Sequence, residues 1–213
     1  MMKLILSLTL IWTLSSTAEA LQCWTGNVTN PVLKTCNSTH LCGSMATHVI
    51  ENGMTSEFTQ RWCLPSPPYT LGDHHYSHSL GSTVVAQFVR VCNKDGCNTG
   101  YIPYPGVLKK NNLQCFACED RSSAVCDKTV QCVGEQDRCM NVTAGDEKGI
   151  AYHSFGCVST NLCEALFYLE VWTKLPKLLS EPKCCGSSLC NSAWSVKLNV
   201  IPLLFGLITL IVY

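Results

Sequence analysis

The chain has 213 residues, with 15 basic and 15 acidic side chains, so its formal net charge at neutral pH is zero. A chain without a basic excess has nothing to attract a phosphate backbone or an anionic lipid surface, which excludes nucleic acid and acidic membranes as expected partners. Sixteen cysteines are many for this length and indicate a disulfide-built extracellular protein.

The N-terminus has the parts of a secretory signal peptide. Lys3 precedes an apolar run from Leu4 to Leu14, and Ala18-Glu19-Ala20 follows it. The run is too short for a membrane span, and the small residues match a cleavage site. We predict that residues 1–20 are removed. A retained signal anchor would need a longer apolar run.

Residues 21–99 form a first cysteine-rich segment with six cysteines. Asn52-Gly53 separates the extended runs 45–50 and 54–62, which is a strong β-hairpin signal. Residues 83–91 are β-branched and run into Cys92, so we expect a core strand there.

A histidine group lies between Cys63 and Cys92, where Asp73, His74, His75 and His78 occur among glycines and serines. Imidazoles at this spacing could bind zinc or copper weakly, but a zinc site wants four fixed ligands with supporting contacts. We therefore predict a solvated loop tip and no metal site.

Residues 100–112 contain two prolines and two glycines but no cysteine, which is typical of a linker. Its tyrosines, Tyr101 and Tyr104, could equally pack into a seam between two domains.

Residues 113–191 form a second cysteine-rich segment with ten cysteines. Both segments end on Cys-x4-Cys-Asn, at Asn98 and at Asn191, so the module is repeated. The second copy's four additional cysteines form two even sets, Cys118 with Cys126 and Cys163 with Cys184. Losing both bridges leaves no orphan thiol, as expected for disulfides and not for metal ligands. Cys115-x2-Cys118 opens no helix after a strand of the βαβ type, which disfavours a thiol-redox role.

The repeated pattern resembles the lymphocyte-antigen-six/urokinase-receptor superfamily of three-finger domains. The resemblance rests on Leu-Gln-Cys at 21–23, on Leu-Gln-Cys-x2-Cys at 113–118 and on Cys-Cys-x4-Cys-Asn at 184–191. It implies a small, all-β, disulfide-rich fold of two tandem three-finger domains, at 21–99 and 113–191. Six cysteines alone allow fifteen pairings.

The resemblance implies one set of pairs for each copy. The pairs are Cys23–Cys42, Cys36–Cys63 and Cys92–Cys97 in the first copy, and Cys115–Cys139, Cys118–Cys126, Cys132–Cys157, Cys163–Cys184 and Cys185–Cys190 in the second. The first copy departs from the family by lacking two bridges, and Gly26 stands where a second cysteine would follow Cys23.

The C-terminus has the three parts of a glycolipid (GPI) anchor signal. Asn191-Ser192-Ala193 are small, a mixed spacer follows, and residues 200–213 are an uncharged apolar tail. We predict attachment at Asn191 and removal of residues 192–213. A transmembrane reading is weaker, because a span needs about 17–25 apolar residues.

Two kinds of surface site are expected. Asn27, Asn37 and Asn141 begin N-x-S/T sequons and are predicted N-glycosylation sites. Residues 163–172 are the most apolar stretch of the mature chain. They predict either a buried element or an exposed third finger whose Phe167, Tyr168 and Trp172 contact a ligand.

We find no catalytic motif in the sequence and expect neither an enzyme nor a cofactor. Together with the anchor signal, the resemblance implies a GPI-anchored cell-surface glycoprotein, held in the outer leaflet of the plasma membrane, that binds an extracellular or membrane protein through its fingers. The alternatives are a secreted two-domain inhibitor of the phospholipase A2 inhibitor type, a tethered hydrolase and a structural coat glycoprotein.

Overall fold

The computed structural model describes residues 20–119, 123, 125–146, 148–166 and 177–192. The predicted apolar tail and all but the last residue of the predicted signal peptide lie outside these ranges. Across the described ranges, no helix is long and apolar enough to cross a membrane.

The first copy consists of six strands and a 3₁₀ turn at Cys97–Thr99. The strands are β1 (Gln22–Asn27), β2 (Val32–Thr35), β3 (His40–Glu51), β4 (Met54–Pro65), β5 (Gly72–Leu80) and β6 (Thr83–Cys92). Asn52 and Gly53 have φ angles of 50° and 80°, the left-handed values that a two-residue hairpin turn requires. The predicted hairpin and the predicted core strand at 83–91 are both confirmed.

The second copy repeats this plan with one short helix. Its elements are β7 (Lys110–Ala117), β8 (Lys128–Val133), β9 (Arg138–Gly145), β10 (Ala151–Val158), α1 (Thr160–Ala165), β11 (Lys177–Leu178) and β12 (Lys183–Cys185). Strand β7 begins at Lys110, within the segment predicted as a linker.

Strands of both copies join in one antiparallel sheet. Its order is β11-β9-β10-β5-β6-β3-β4-β1-β2, with β12 also on β9, while β7 and β8 form a separate pair. The copies meet where β10 pairs with β5, opposing Gly156 to Leu80 and Val158 to His78.

Eight disulfides join all sixteen cysteines. They are Cys23–Cys42, Cys36–Cys63, Cys92–Cys97, Cys115–Cys139, Cys118–Cys126, Cys132–Cys157, Cys163–Cys184 and Cys185–Cys190, the same pairs that the resemblance implies. The longer bridges close loops of 19 to 27 residues. In the chain-entropy account each such bridge contributes about 3 kcal/mol. The fold is all-β and disulfide-rich, as predicted.

One apolar cluster extends through both copies. The first copy contributes Met45, Trp62, Leu64, Tyr69, Tyr76, Val89 and Val91, and the second contributes Met140, Val142, Val158, Leu162 and Leu166. Smaller clusters of buried cysteines lie beside it within each copy. The main core is therefore shared by the two copies.

The prediction of a loop tip is wrong for the histidine group, and the prediction of solvation is wrong for His78, whereas Asp73 and His75 are exposed. Asp73, His74, His75 and His78 lie on β5, and the side chains from Tyr76 to Ser79 are buried. The segment is short of apolar residues, but β6 and β10 flank it as a central strand. The second neighbour comes from the other copy, which the local sequence does not reveal.

The predicted linker starts on the first copy. Arg61 donates a hydrogen bond to the Thr99 carbonyl oxygen at 2.9 Å, and Ile102 is buried against Ala46 and Phe88. Tyr104 packs against this cluster, whereas Tyr101 is exposed. Of the two alternatives for the tyrosines, Tyr104 packs, but on the first copy's own sheet.

Candidate binding surface

A polar network holds the two copies together at the β5–β10 junction. The Gln136 side chain accepts a hydrogen bond from Ser79 Oγ at 2.9 Å and donates one to Ser77 Oγ at 2.8 Å. Ser159 Oγ accepts from the Ser77 backbone N–H at 3.1 Å, and the Ser159 N–H donates to the Ser77 carbonyl at 2.9 Å. All four residues are buried, and a satisfied buried network favours a single strand register.

The junction leaves no space for a side chain on β10. A Cβ added to Gly156 would overlap the Ser79 carbonyl oxygen and lie 2.9 Å from Leu80 Cδ2. Glycine at position 156 thus allows β10 to come close enough to pair with β5. Finger loops of both copies, apart from the separate β7–β8 finger, are therefore presented from one supporting sheet.

Loop tips of both copies converge at one edge of this support. The Asn52 N–H donates to the Ser82 carbonyl oxygen at 3.4 Å, which joins the second and third fingers of the first copy. At the neighbouring Gly81, an added Cβ would lie 3.1 Å from the Cys118 carbonyl oxygen, in the first finger of the second copy. Met54, at the second finger's tip, is 73% exposed. A partner touching this edge would meet both copies.

The second and third fingers of the second copy also lie together. Asp146 Oδ1 accepts hydrogen bonds from the backbone N–H groups of Lys148 and Ile150, at 2.9 and 2.7 Å, which shapes the second finger's tip. Leu179 N–H donates to the Thr143 carbonyl at 2.8 Å. Ile150 and Leu179 are exposed, so this pair of fingers presents apolar side chains.

The predicted ligand contacts Phe167, Tyr168 and Trp172 lie outside the described residues. The structure describes the chain up to residue 166 and again from residue 177. Leu162 and Leu166 of the α1 region are buried in the shared core, and Leu178 packs against that core. The segment that holds the three aromatics thus starts and ends on the support shared by both copies.

Two charged side chains of the support, Asp73 and Arg90, pair with each other. Asp73 accepts two hydrogen bonds from Arg90, at 2.8 and 3.0 Å, and this pairing lowers the pKa of the Asp73 carboxyl. Burial lowers the pKa of His78 to about 4, so its imidazole is neutral at physiological pH. Arg90 also lies over the Phe88 ring, 5.4 Å from its centroid. The Asp73–Arg90 pair thus adds a side-chain contact between β5 and β6, where these two residues are directly opposed.

Two groups of sulfurs lie close enough to surround a metal ion. They are Cys23, Cys36 and Cys63 in the first copy, and Cys115, Cys132 and Cys157 in the second. Every one of these sulfurs is in a disulfide and so provides no thiolate ligand. The sulfurs lie close together because the disulfides of each copy pack against one another.

The three sequon asparagines differ in exposure. Asn27 and Asn37 are exposed, and Asn27 Oδ1 accepts hydrogen bonds from Thr29 Oγ1 and the Asn30 N–H. Asn141 is half-buried in β9, opposite Phe155 of β10 and Lys183 of β12.

Asn191, the predicted anchor residue, is buried. Its side-chain hydrogen bonds match those of Asn98 in the first copy. It donates to the carbonyl oxygens of Phe116 and Met140 at 2.9 and 2.8 Å and accepts from the Phe116 N–H at 3.0 Å. Asn98 makes the same three kinds of contact, with Trp24 and Gly43. The repeated Cys-Asn ending is thus explained by the fold.

Sequence reasoning missed the junction residues Ser77, Ser79, Gln136 and Ser159. The alternation of serines with Tyr76, His78 and Leu80 was the available signal, because it matches the two faces of a buried strand. Gln136 gave no signal, since its partners lie 57 and 59 residues away.

Comparisons with known proteins show what this chain is similar to. A family model described as the u-PAR/Ly-6 domain matches residues 19–100 and 111–193. The urokinase plasminogen activator surface receptor of Bos taurus is 29% identical over 135 residues, covering 60% of this chain and 37% of that protein. The Mus musculus receptor is 28% identical over 150 residues, covering 67% and 43%. The chain thus spans less than half the length of these relatives. The crystal structure of mouse TEX101 aligns over 80% of this chain and 98% of that chain, with 14% identity and a TM-score of 0.31.

Proposed function

Because this chain belongs to the u-PAR/Ly-6 domain family and carries two tandem three-finger domains, we propose that it is a non-enzymatic, GPI-anchored cell-surface glycoprotein that binds a protein ligand through its fingers. The observation that carries the proposal is the single sheet and core from which finger loops of both domains project. A rigid support lowers the ordering cost of binding by loops.

The ligand contact is assigned to the third finger of the second domain. Phe167, Tyr168 and Trp172 form the densest aromatic group of the mature chain, and aromatic side chains carry much of the binding energy of interfaces. Leu166 and Leu178 hold the ends of this segment against the shared core.

A binding experiment tests this assignment. The protein displayed on vertebrate cells is screened against secreted and cell-surface proteins, and any ligand found is titrated against Tyr168→Ser and Trp172→Ser variants. We expect at least about a tenfold weaker Kd for each variant. Val107→Ser, at an exposed linker position, serves as the control and should bind as the wild type does. Unchanged affinity in both finger variants would remove the third finger as the contact.

The anchor needs a test that spares the fold. Substituting Asn191 would break three hydrogen bonds and could mislead, because a misfolded chain also fails to reach the surface. We keep Asn191 as the proposed attachment residue, since attachment through its main-chain carboxyl leaves the side-chain amide in place. Ala193→Trp instead changes the small residue that the signal needs two positions later.

The full chain, with an epitope after Ala20, is expressed in vertebrate cells and treated with phosphatidylinositol-specific phospholipase C. We expect release of the wild type and of Val196→Trp, a bulky change in the spacer, and loss of Ala193→Trp from the surface. Resistance of wild-type protein to the enzyme would contradict the anchor. Protein already in the medium would favour a secreted inhibitor.

A further inference from the structure

The first finger of the first domain ends in an exposed sheet edge. Strand β2 is the last in the strand order, and all four of its residues are exposed. Val28, Val32 and Leu33 are 50%, 63% and 45% exposed, and we call these three residues the edge patch. A strand edge with apolar side chains is a template for pairing with another chain.

The corresponding finger of the second domain is built differently. Its loop is closed by the Cys118–Cys126 bridge, and Val130 of β8 packs against buried cysteines. The first domain has Gly26 in place of a second cysteine, and no bridge closes its 28–31 loop. Lys34 is the one charged residue on β2. The edge patch therefore needs another form of protection.

Two sequons lie at the two ends of β2. Asn27 is the last residue of β1, across the loop that leads into β2, and Asn37 follows the end of β2 by two residues. Both asparagines are exposed. Because a four-residue strand spans only about 13 Å, a bulky glycan at each end has the edge patch within reach. The second domain's first finger contains no sequon.

We propose that N-glycans on Asn27 and Asn37 cover the edge patch and keep β2 from pairing with β2 of a second copy of this chain. They take over the protective role that the Cys118–Cys126 bridge has in the other domain. This inference depends on passage through the secretory pathway, and not on the ligand or the anchor.

The test uses two differently tagged full-length copies co-expressed in vertebrate cells. Peptide mass spectrometry before and after deglycosylation measures occupancy, which we expect at both Asn27 and Asn37. Co-precipitation after detergent extraction measures self-association. We expect the double variant Asn27→Gln, Asn37→Gln to associate about fivefold more than wild type, and addition of Val32→Lys to abolish the increase.

Asn141→Gln is the matched control, because it removes a sequon far from the edge patch and should leave self-association unchanged. In the Asn141→Gln variant, the glycans on Asn27 and Asn37 can also be trimmed after folding. For this, the variant is made with high-mannose glycans and treated with endoglycosidase H. Trimming should then raise self-association without any question of misfolding. An unoccupied Asn27 or Asn37 overturns the proposal, and so does an unchanged association after trimming or an increase that Val32→Lys does not reverse.

Discussion

Asn98 and Asn191 each close one domain by satisfying backbone groups that come from two other segments. Replacing Asn98 by Ala leaves the Trp24 N–H and two carbonyl oxygens without that partner. Buried groups left unsatisfied cost about 1–3 kcal/mol each, so we expect Asn98→Ala to lower the free energy of unfolding by about 2–4 kcal/mol. Urea denaturation measures the change. Asn93→Ala, at an exposed position, is the control, and its free energy of unfolding should stay within about 0.5 kcal/mol of the wild-type value.

His78 makes the stability of the molecule depend on pH. Its folded pKa of about 4 lies below the usual value of 6.5 because the imidazole is buried, so the unfolded chain binds the proton more readily. The stabilisation is complete above about pH 6.5 and is lost as the pH falls towards 4, by roughly 3 kcal/mol in total. Tyr76 on the same strand does not add to this dependence, because burial moves the pKa of its phenol upwards, further from this range.

Unfolding measured between pH 7 and pH 4 checks this behaviour. His78→Gln should flatten the pH dependence, whereas His153→Gln, at an exposed position, should keep it. Asp73 belongs to a different range: its lowered pKa means that its contribution is lost only at still lower pH. An equal pH dependence in wild type and His78→Gln would show that His78 is not buried as described.

At the scale of elements, the β5–β10 pairing is the contact on which the two-domain unit depends. Gly156→Ala places a methyl group in overlap with the Ser79 carbonyl oxygen, and a backbone atom cannot move aside without shifting its strand. We expect a loss of about 3 kcal/mol or more, with faster amide exchange in both β5 and β10. Gly106→Ala adds a Cβ with nothing within 4 Å and should leave exchange unchanged. Slow exchange in Gly156→Ala would mean that the strands do not pair this closely.

Elements with local signals could be predicted from the sequence. The Asn52-Gly53 dipeptide predicts the β3–β4 hairpin, and the β-branched run 83–91 predicts strand β6. Strand β5 could not be predicted from its own sequence, because its burial depends on Gly156 and Ser159 of the other domain. Tertiary pairing decided its state, as it often does for strands of mixed composition.

The candidate binding surface was predictable only in part. The aromatic segment at 167–172 is visible in the sequence as an apolar run, but its ligand contact stays a prediction. The convergence of Asn52, Ser82 and Gly81 with the second domain at one edge could not be read from local patterns, since the contacts join residues far apart in the chain. The edge patch combines both kinds of information: Val32 and Leu33 are apolar in the sequence, and only the strand order shows that they lie at an edge.

At the scale of the whole molecule, we expect the shared core to make the two domains unfold as a single cooperative unit. Tyr76 and Val89 of the first domain pack in the same cluster as Met140 and Val158 of the second. Separating the domains would expose this apolar surface to water, at about 25 cal/mol for each Å². Tandem domains joined only by a linker would unfold independently, and these domains should not.

We therefore predict that a destabilising change in one domain is felt in the other. In Asn98→Ala, which acts in the first domain, amide exchange in β9 and β10 of the second should accelerate by nearly the same factor as in β3 and β6. Calorimetric and van't Hoff enthalpies of unfolding should agree, as they do for a two-state transition. Exchange confined to the first domain, or two resolved thermal transitions, would show that the β5–β10 contact does not couple the domains. The shared core would then contribute less to stability than the disulfides within each domain.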